Sequence, residues 1–154
     1  MRGVAKRTAD PLVGLREGDD GSLRFKLTAP GGGFVWVSEH HEVKMSHWIA
    51  RGALYRLDDA RTPVFEPAPE WSFDRVAWEG PLVLSLLARR YPGTDAPVTA
   101  RLDLEAGTAR LSPFDLAAAH AAGAYTWLSE RDLPRFPDRD LTLAELGRWF
   151  SDSG

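Results

Sequence analysis

Side chains able to do chemistry first gather at Glu39-His40-His41-Glu42, followed by His47, which together hold three of the four histidines of the chain. Zinc accepts imidazole and carboxylate ligands of this kind. On one extended strand, however, His41 and His47 stand about 20 Å apart, and only a turn at His40-His41 could bring them to one ion. Neither a His-x-x-x-His pair nor a Glu-x-x-His pair is present, so the cluster reads as a solvated turn and no metal is expected.

A second gathering is acidic. Asp58, Asp59, Glu66, Glu70 and Asp74 lie close together with Arg61 as the balancing cation, and Tyr55, Phe65, Trp71 and Phe73 are interleaved with them. Acids converging in a cleft could serve general acid-base chemistry, but in sequence they read as a hydrated loop. With the aromatics they suit a contact surface, since aromatic anchors dominate interface energies and acids around them select a basic partner. The partner-binding residues expected are therefore Tyr55, Asp58, Asp59, Phe65, Glu66, Glu70, Trp71 and Asp74. The competing reading buries Trp71 and Phe73 under the loop.

Other candidates are weaker. Gly31-Gly32-Gly33 lacks the Lys-Ser/Thr of a phosphate-binding loop and leads into a strand, so it reads as a flexible connector. Six tryptophans, at 36, 48, 71, 78, 127 and 149, are many for this length, and several of them with Arg89, Arg90 or His47 could line a barrel mouth. His120 lies among alanines and is expected to be a partly buried helix residue. No serine has the surroundings of a nucleophile elbow, so no catalytic residue and no cofactor is assigned.

These residues need elements to position them. Leu23, Phe25 and Leu27 alternate with polar neighbours over Ser22–Thr28, as in a half-buried strand, with Leu12–Arg16 as its partner across the turn Gly18-Asp19-Asp20-Gly21. Strands are expected at Phe34–Ser38, Val43–Ile49 and Ala53–Leu57. Pro63, Pro67 and Pro69 make the stretch from Asp58 to Glu70 loop or sheet edge. A meander then follows through Arg75–Trp78, Leu82–Tyr91, Val98–Leu104 and Thr108–Leu111, with Gly107 in the left-handed position of its last turn. Apolar residues on both faces of Leu82–Tyr91 mark it as a central strand covered on both sides.

After Leu111 the period changes. Ser112-Pro113-Phe114-Asp115 reads as a helix start, with the helix reaching about Gly123, and Tyr125–Leu128 either continues it or forms a short strand. A second helix is expected over Thr142–Phe150, with Thr142 and Glu145 at capping-box spacing. The fold class expected is α+β: about eight to ten antiparallel strands in a sheet or open barrel, with two C-terminal helices. Residues 1–10 and 151–154 are expected to be flexible tails around a single domain at 11–150.

Composition is that of an ordinary globular chain, with 44% hydrophobic and 27% charged residues. There is no cysteine, which excludes disulfides and thiolate chemistry. A net charge of -3 argues against non-specific nucleic-acid binding. The basic start runs into Thr8-Ala9-Asp10-Pro11 rather than an apolar segment, and no stretch is long enough to span a membrane, so a cytoplasmic location is expected. Three functions fit: a protein-binding module, of which a bacterial immunity protein capping a toxin is one form; a small-molecule-binding barrel or modest hydrolase; and a structural subunit. Binding is favoured over catalysis.

Overall fold

Alternation of apolar and polar side chains builds two successive β-meanders. The computed structural model describes residues 16–17, 23–43, 47–91, 97–132 and 138–152. In the first sheet β1 (Arg16–Glu17), β2 (Leu23–Thr28), β3 (Phe34–Val43), β4 (His47–Arg56) and β5 (Asp59–Phe65) each run antiparallel to the next. The second sheet repeats the arrangement with β6 (Trp71–Gly80), β7 (Val83–Arg90), β8 (Val98–Asp103), β9 (Thr108–Pro113) and β10 (Arg139–Thr142). Neither sheet closes into a barrel. The expected α+β architecture is thus present, among the described residues, as two sheets with two α-helices.

Between the sheets lies one core. Trp36, Leu54 and Phe65 enter it from the first sheet, and Phe73, Val76, Trp78, Leu84, Leu86, Leu102 and Leu111 from the second. Helix α2 (Leu143–Asp152) closes one end by burying Leu146 and Phe150, the latter edge-on to Trp71 and Phe65. Polar contacts cross the seam. Trp78 Nε1 donates to the Leu27 carbonyl at 3.0 Å, Trp71 Nε1 to the Phe150 carbonyl at 3.0 Å, and the Ala50 amide to Ser72 Oγ at 3.0 Å. The glycine run is a docked turn rather than a loose connector: Gly31 donates to the Pro81 carbonyl at 2.8 Å, and a Cβ on Gly31 would meet the same oxygen.

Several expectations are corrected. Glu39–Glu42 is not a turn but lies inside β3, which extends to Val43. The chain folds back between Val43 and His47, which pair across the hairpin, so Val43–Ile49 is not one strand. Strand β9 continues through Ser112 and Pro113, where a helix start was expected. Helix α1 (Leu116–Ala121) instead begins behind Asp115, whose Oδ1 accepts from the Ala118 amide at 3.0 Å. Pro113 sits opposite Val98 at the end of its ladder, where a missing N–H is tolerated. Helix α2 runs through Asp152, so residues 151–152 belong to the domain. The expected tail at 1–10, the segment 12–15 and the turn at 18–21 lie outside the described residues, as do 153–154.

Candidate functional site

The outer face of the first sheet follows from its register. Arg24 stands opposite Glu39, Lys26 opposite Val37, and these neighbour Arg51 and Ala53 on β4. Side chains of alternate parity face the core, so these residues and Tyr55 must face outward. The chain leaving β5 borders this face as Glu66-Pro67-Ala68-Pro69, and Arg51 Nε donates to the Pro69 carbonyl at 3.2 Å, holding that segment as a wall. Between wall and sheet is a groove of about 500 Å³. Its floor is small or apolar, formed by Val37, Gly52 and Ala53, and its borders carry Arg24, Lys26, Arg51, Glu39 and Glu66.

Charges along the groove are partly neutralised. Glu39 receives Arg24 Nε on one oxygen and His41 Nε2 on the other, both at 2.7 Å. Burial pushes the Glu39 carboxyl up, but Arg24 and His41 outweigh it and the net shift is downward. His40 points to the opposite face, edge-on to Phe25 with ring centroids 4.4 Å apart, and its pKa is lowered by burial and then by the nearby His41. His40 Nε2 lies 3.1 Å from Ser38 Oγ, the spacing of a nucleophile and its base. Ser38 is buried, however, and no carboxylate orients the imidazole among the described residues, so the pair is structural.

The acidic-aromatic stretch is dispersed by the fold. Phe65 and Trp71 are buried and Phe73 packs with them, which corrects their assignment as partner anchors. Their alternation with polar residues was a strand pattern feeding the core. Tyr55 and Glu66 line the groove. Asp58 is exposed in the turn between β4 and β5, and Asp59 starts β5, where its Oδ1 accepts from the Arg61 amide at 3.2 Å. Glu70 is half-buried, and its carbonyl accepts from the Tyr91 amide at 2.6 Å.

Asp74 belongs elsewhere. Phe73 pairs with Ala88 and Arg75 with Leu87, so Asp74 is the extra residue of a β-bulge, which leaves Asp74 and Arg75 both on the outer face of the second sheet. There it accepts from Arg89 Nε at 2.9 Å and from the Tyr125 hydroxyl at 2.8 Å. Tyr125 has a left-handed backbone, with φ 53°, immediately after α1 terminates at Gly123. That terminus is a Schellman motif: the Gly123 amide donates to the His120 carbonyl at 3.0 Å and the Ala124 amide to the Ala119 carbonyl at 2.9 Å. Tyr125–Leu128 is therefore a turn, neither helix nor strand, and His120 is exposed rather than partly buried.

Helix α1 lies over the outer face of β7 and β8 and leaves a pocket of about 330 Å³ beneath it. Arg75, Ser85, Leu87 and Thr99 come from the sheet; Ala118, Ala119 and Tyr125 come from the helix and its exit. Trp127, 71% exposed, lies against Tyr125 with ring centroids 5.3 Å apart. Sequence reasoning missed Arg24, Lys26, Arg51, Arg75 and Tyr125. The cations were available as the outward positions of alternating strands, but the approach of Tyr125 to Asp74 depends on a bulge that leaves no pattern.

The tryptophan-lined barrel mouth is not formed. Trp36, Trp71 and Trp78 are core residues, Arg90 lies over the Trp71 ring at 5.3 Å, and the His47 and Trp48 side chains lie outside the described residues. Among the described residues no three His, Asp or Glu side chains gather to hold a metal ion, and no helix is long and apolar enough to cross a membrane. Comparison with known proteins yields no match to a family model, a curated protein or a solved structure.

Proposed function

We propose that the chain is a protein-binding module whose partner lays an extended segment into the groove on the outer face of the first sheet. The groove itself carries this reading. It is open along the sheet, its floor is formed by Val37, Gly52 and Ala53, and it presents Lys26 and Arg51 across from Glu66. Such a surface admits a backbone close to the sheet and selects side chains by charge at the borders. The partner segment accordingly carries both signs, with acids for Lys26 and Arg51 and a base for Glu66. Tyr55 is the aromatic contact, and the exposed Asp58 and Asp59 extend the acidic side of the surface.

In its narrower form the reading makes the chain an immunity-type protein that neutralises a partner by covering it. The test is capture of the tagged chain from its own cells alongside the double variant Arg51→Glu/Glu66→Lys and the variant Tyr55→Ala. One protein recovered at near-equal stoichiometry with the parent chain, and lost with both variants, is the expected result. Equal recovery with all three chains would overturn the groove as the binding surface. For the narrower form, growth rescue by coexpression with the captured protein is expected, and absence of rescue would reject neutralisation.

A further inference from the structure

We propose that the pocket beneath α1 binds a small monocarboxylate with a short apolar body. This site is separate from the groove and does not depend on it. Its volume, about 330 Å³, lies at the small end of the range for ligand pockets. Its apolar lining includes Leu87, Phe114, Ala118 and Ala119, and its polar groups are Arg75, Ser85 and Thr99 from the sheet with Asp115 and Tyr125 from the two ends of α1.

Arg75 decides the ligand class. It is the sole cation among the lining residues; its charge acts on the nearby Tyr125 hydroxyl, but it makes no hydrogen bond or ion pair among the described residues. The other arginines on this sheet face are committed: Arg89 to Asp74, Arg101 to Glu79, and Arg110 to Asp138 and Asp140. A guanidinium with no hydrogen-bond partner among the described residues offers a planar pair of donors matched to a carboxylate. A phosphate dianion asks for more positive charge than one arginine supplies.

Each of the two carboxylates nearby has a partner other than Arg75. Asp115, which also lines the pocket, accepts from the Ala118 amide, and Asp74 next to it is held by Arg89 and Tyr125. The space is kept open by composition, because alanines at 118, 119 and 122 face a region that larger apolar residues would fill. Tyr125 forms the remaining wall from a left-handed backbone, an unfavourable conformation for a non-glycine residue, and its hydroxyl is held by Asp74. Strain retained at a pocket wall agrees with a wall kept for what it encloses.

The test titrates the full chain with hexanoate and with hexan-1-ol, following amide shifts by NMR and heat by calorimetry, with inorganic phosphate as a competitor. Hexanoate is expected to saturate with shifts centred on 85–87, 99 and 118–125, and to bind about tenfold more tightly than the alcohol, as a charge-assisted hydrogen bond provides. In Arg75→Gln that preference should vanish while alcohol binding is unchanged. In Ala119→Phe, which fills the pocket, both should be lost. Equal affinity of acid and alcohol for the parent chain, shifts centred elsewhere, or displacement of hexanoate by equimolar phosphate would each overturn the assignment.

Discussion

Tyr125 is held at both its backbone and its hydroxyl, and that gives it a testable titration. Burial, then the charge of Asp74 and the hydrogen bond to it, push its phenol up to about 12 from the ordinary tyrosine value. Its proton is therefore bound more tightly in the folded chain than in the unfolded one. The stabilisation this represents is fully present below the unfolded value near 10 and is lost as pH rises through about 12. Urea midpoints measured across that range should fall less steeply for Tyr125→Phe than for the parent chain. Identical pH profiles would show that Tyr125 ionises like an exposed phenol. None of this was legible beforehand, because Asp74 and Tyr125 are 51 positions apart and meet only through a bulge and a helix terminus. Tyr55 and Glu66 were legible as surface residues, whereas Phe65 and Trp71, with the same acidic neighbours, became core.

At the level of elements, local chemistry was readable wherever the deciding partners are close in sequence. Thr142 and Glu145 form the expected capping box, the Thr142 amide donating to Glu145 at 2.8 Å and the Glu145 amide to Thr142 Oγ1 at 3.1 Å. Gly107 has φ 74°, as its turn requires. The sequence pattern places the start of α1 at Ser112, but pairing of β9 with β8 claims Ser112, and Asp115 caps the helix instead. Strand β10 was invisible, since its four residues carry one buried side chain, Leu141. A sharper dependence between elements lies at Gly52. Trp36 on β3 lays its indole over this glycine of β4, and a Cβ there would overlap the six-membered ring. Gly52→Ala should therefore destabilise the chain by about 1–3 kcal/mol or more by overpacking. In the Trp36→Phe background, which withdraws the outer ring, the same change should cost measurably less, because contacting sites are not additive. Additive urea unfolding energies would mean that the ring moves aside freely.

Two five-stranded meanders could have formed two separate units, and their pairing into one body is the feature of the whole molecule that no local pattern contains. The join is partly explained by an unfinished edge. Strand β5 pairs with β4 from Leu54 to Arg56, leaving the remainder of β4 without a neighbour on that side. Strand β6, the first of the second sheet, comes there instead, and Ser72 Oγ accepts the Ala50 amide that a longer β5 would have taken. Trp78 and Trp71 add indole donors to carbonyls of β2 and α2, so three side chains of one strand tie the second sheet to the rest. Ser72 is buried, and its removal leaves the Ala50 N–H without an acceptor away from water. Ser72→Ala should consequently lower stability by about 1–3 kcal/mol, the range for an orphaned buried donor. Because the core is shared, tryptophan fluorescence and far-ultraviolet circular dichroism should still report one coincident urea transition, shifted to lower urea, with faster exchange at the Ala50 amide. Separation of the two signals into distinct transitions would show that the sheets fold as independent units and that the seam is not part of one cooperative core.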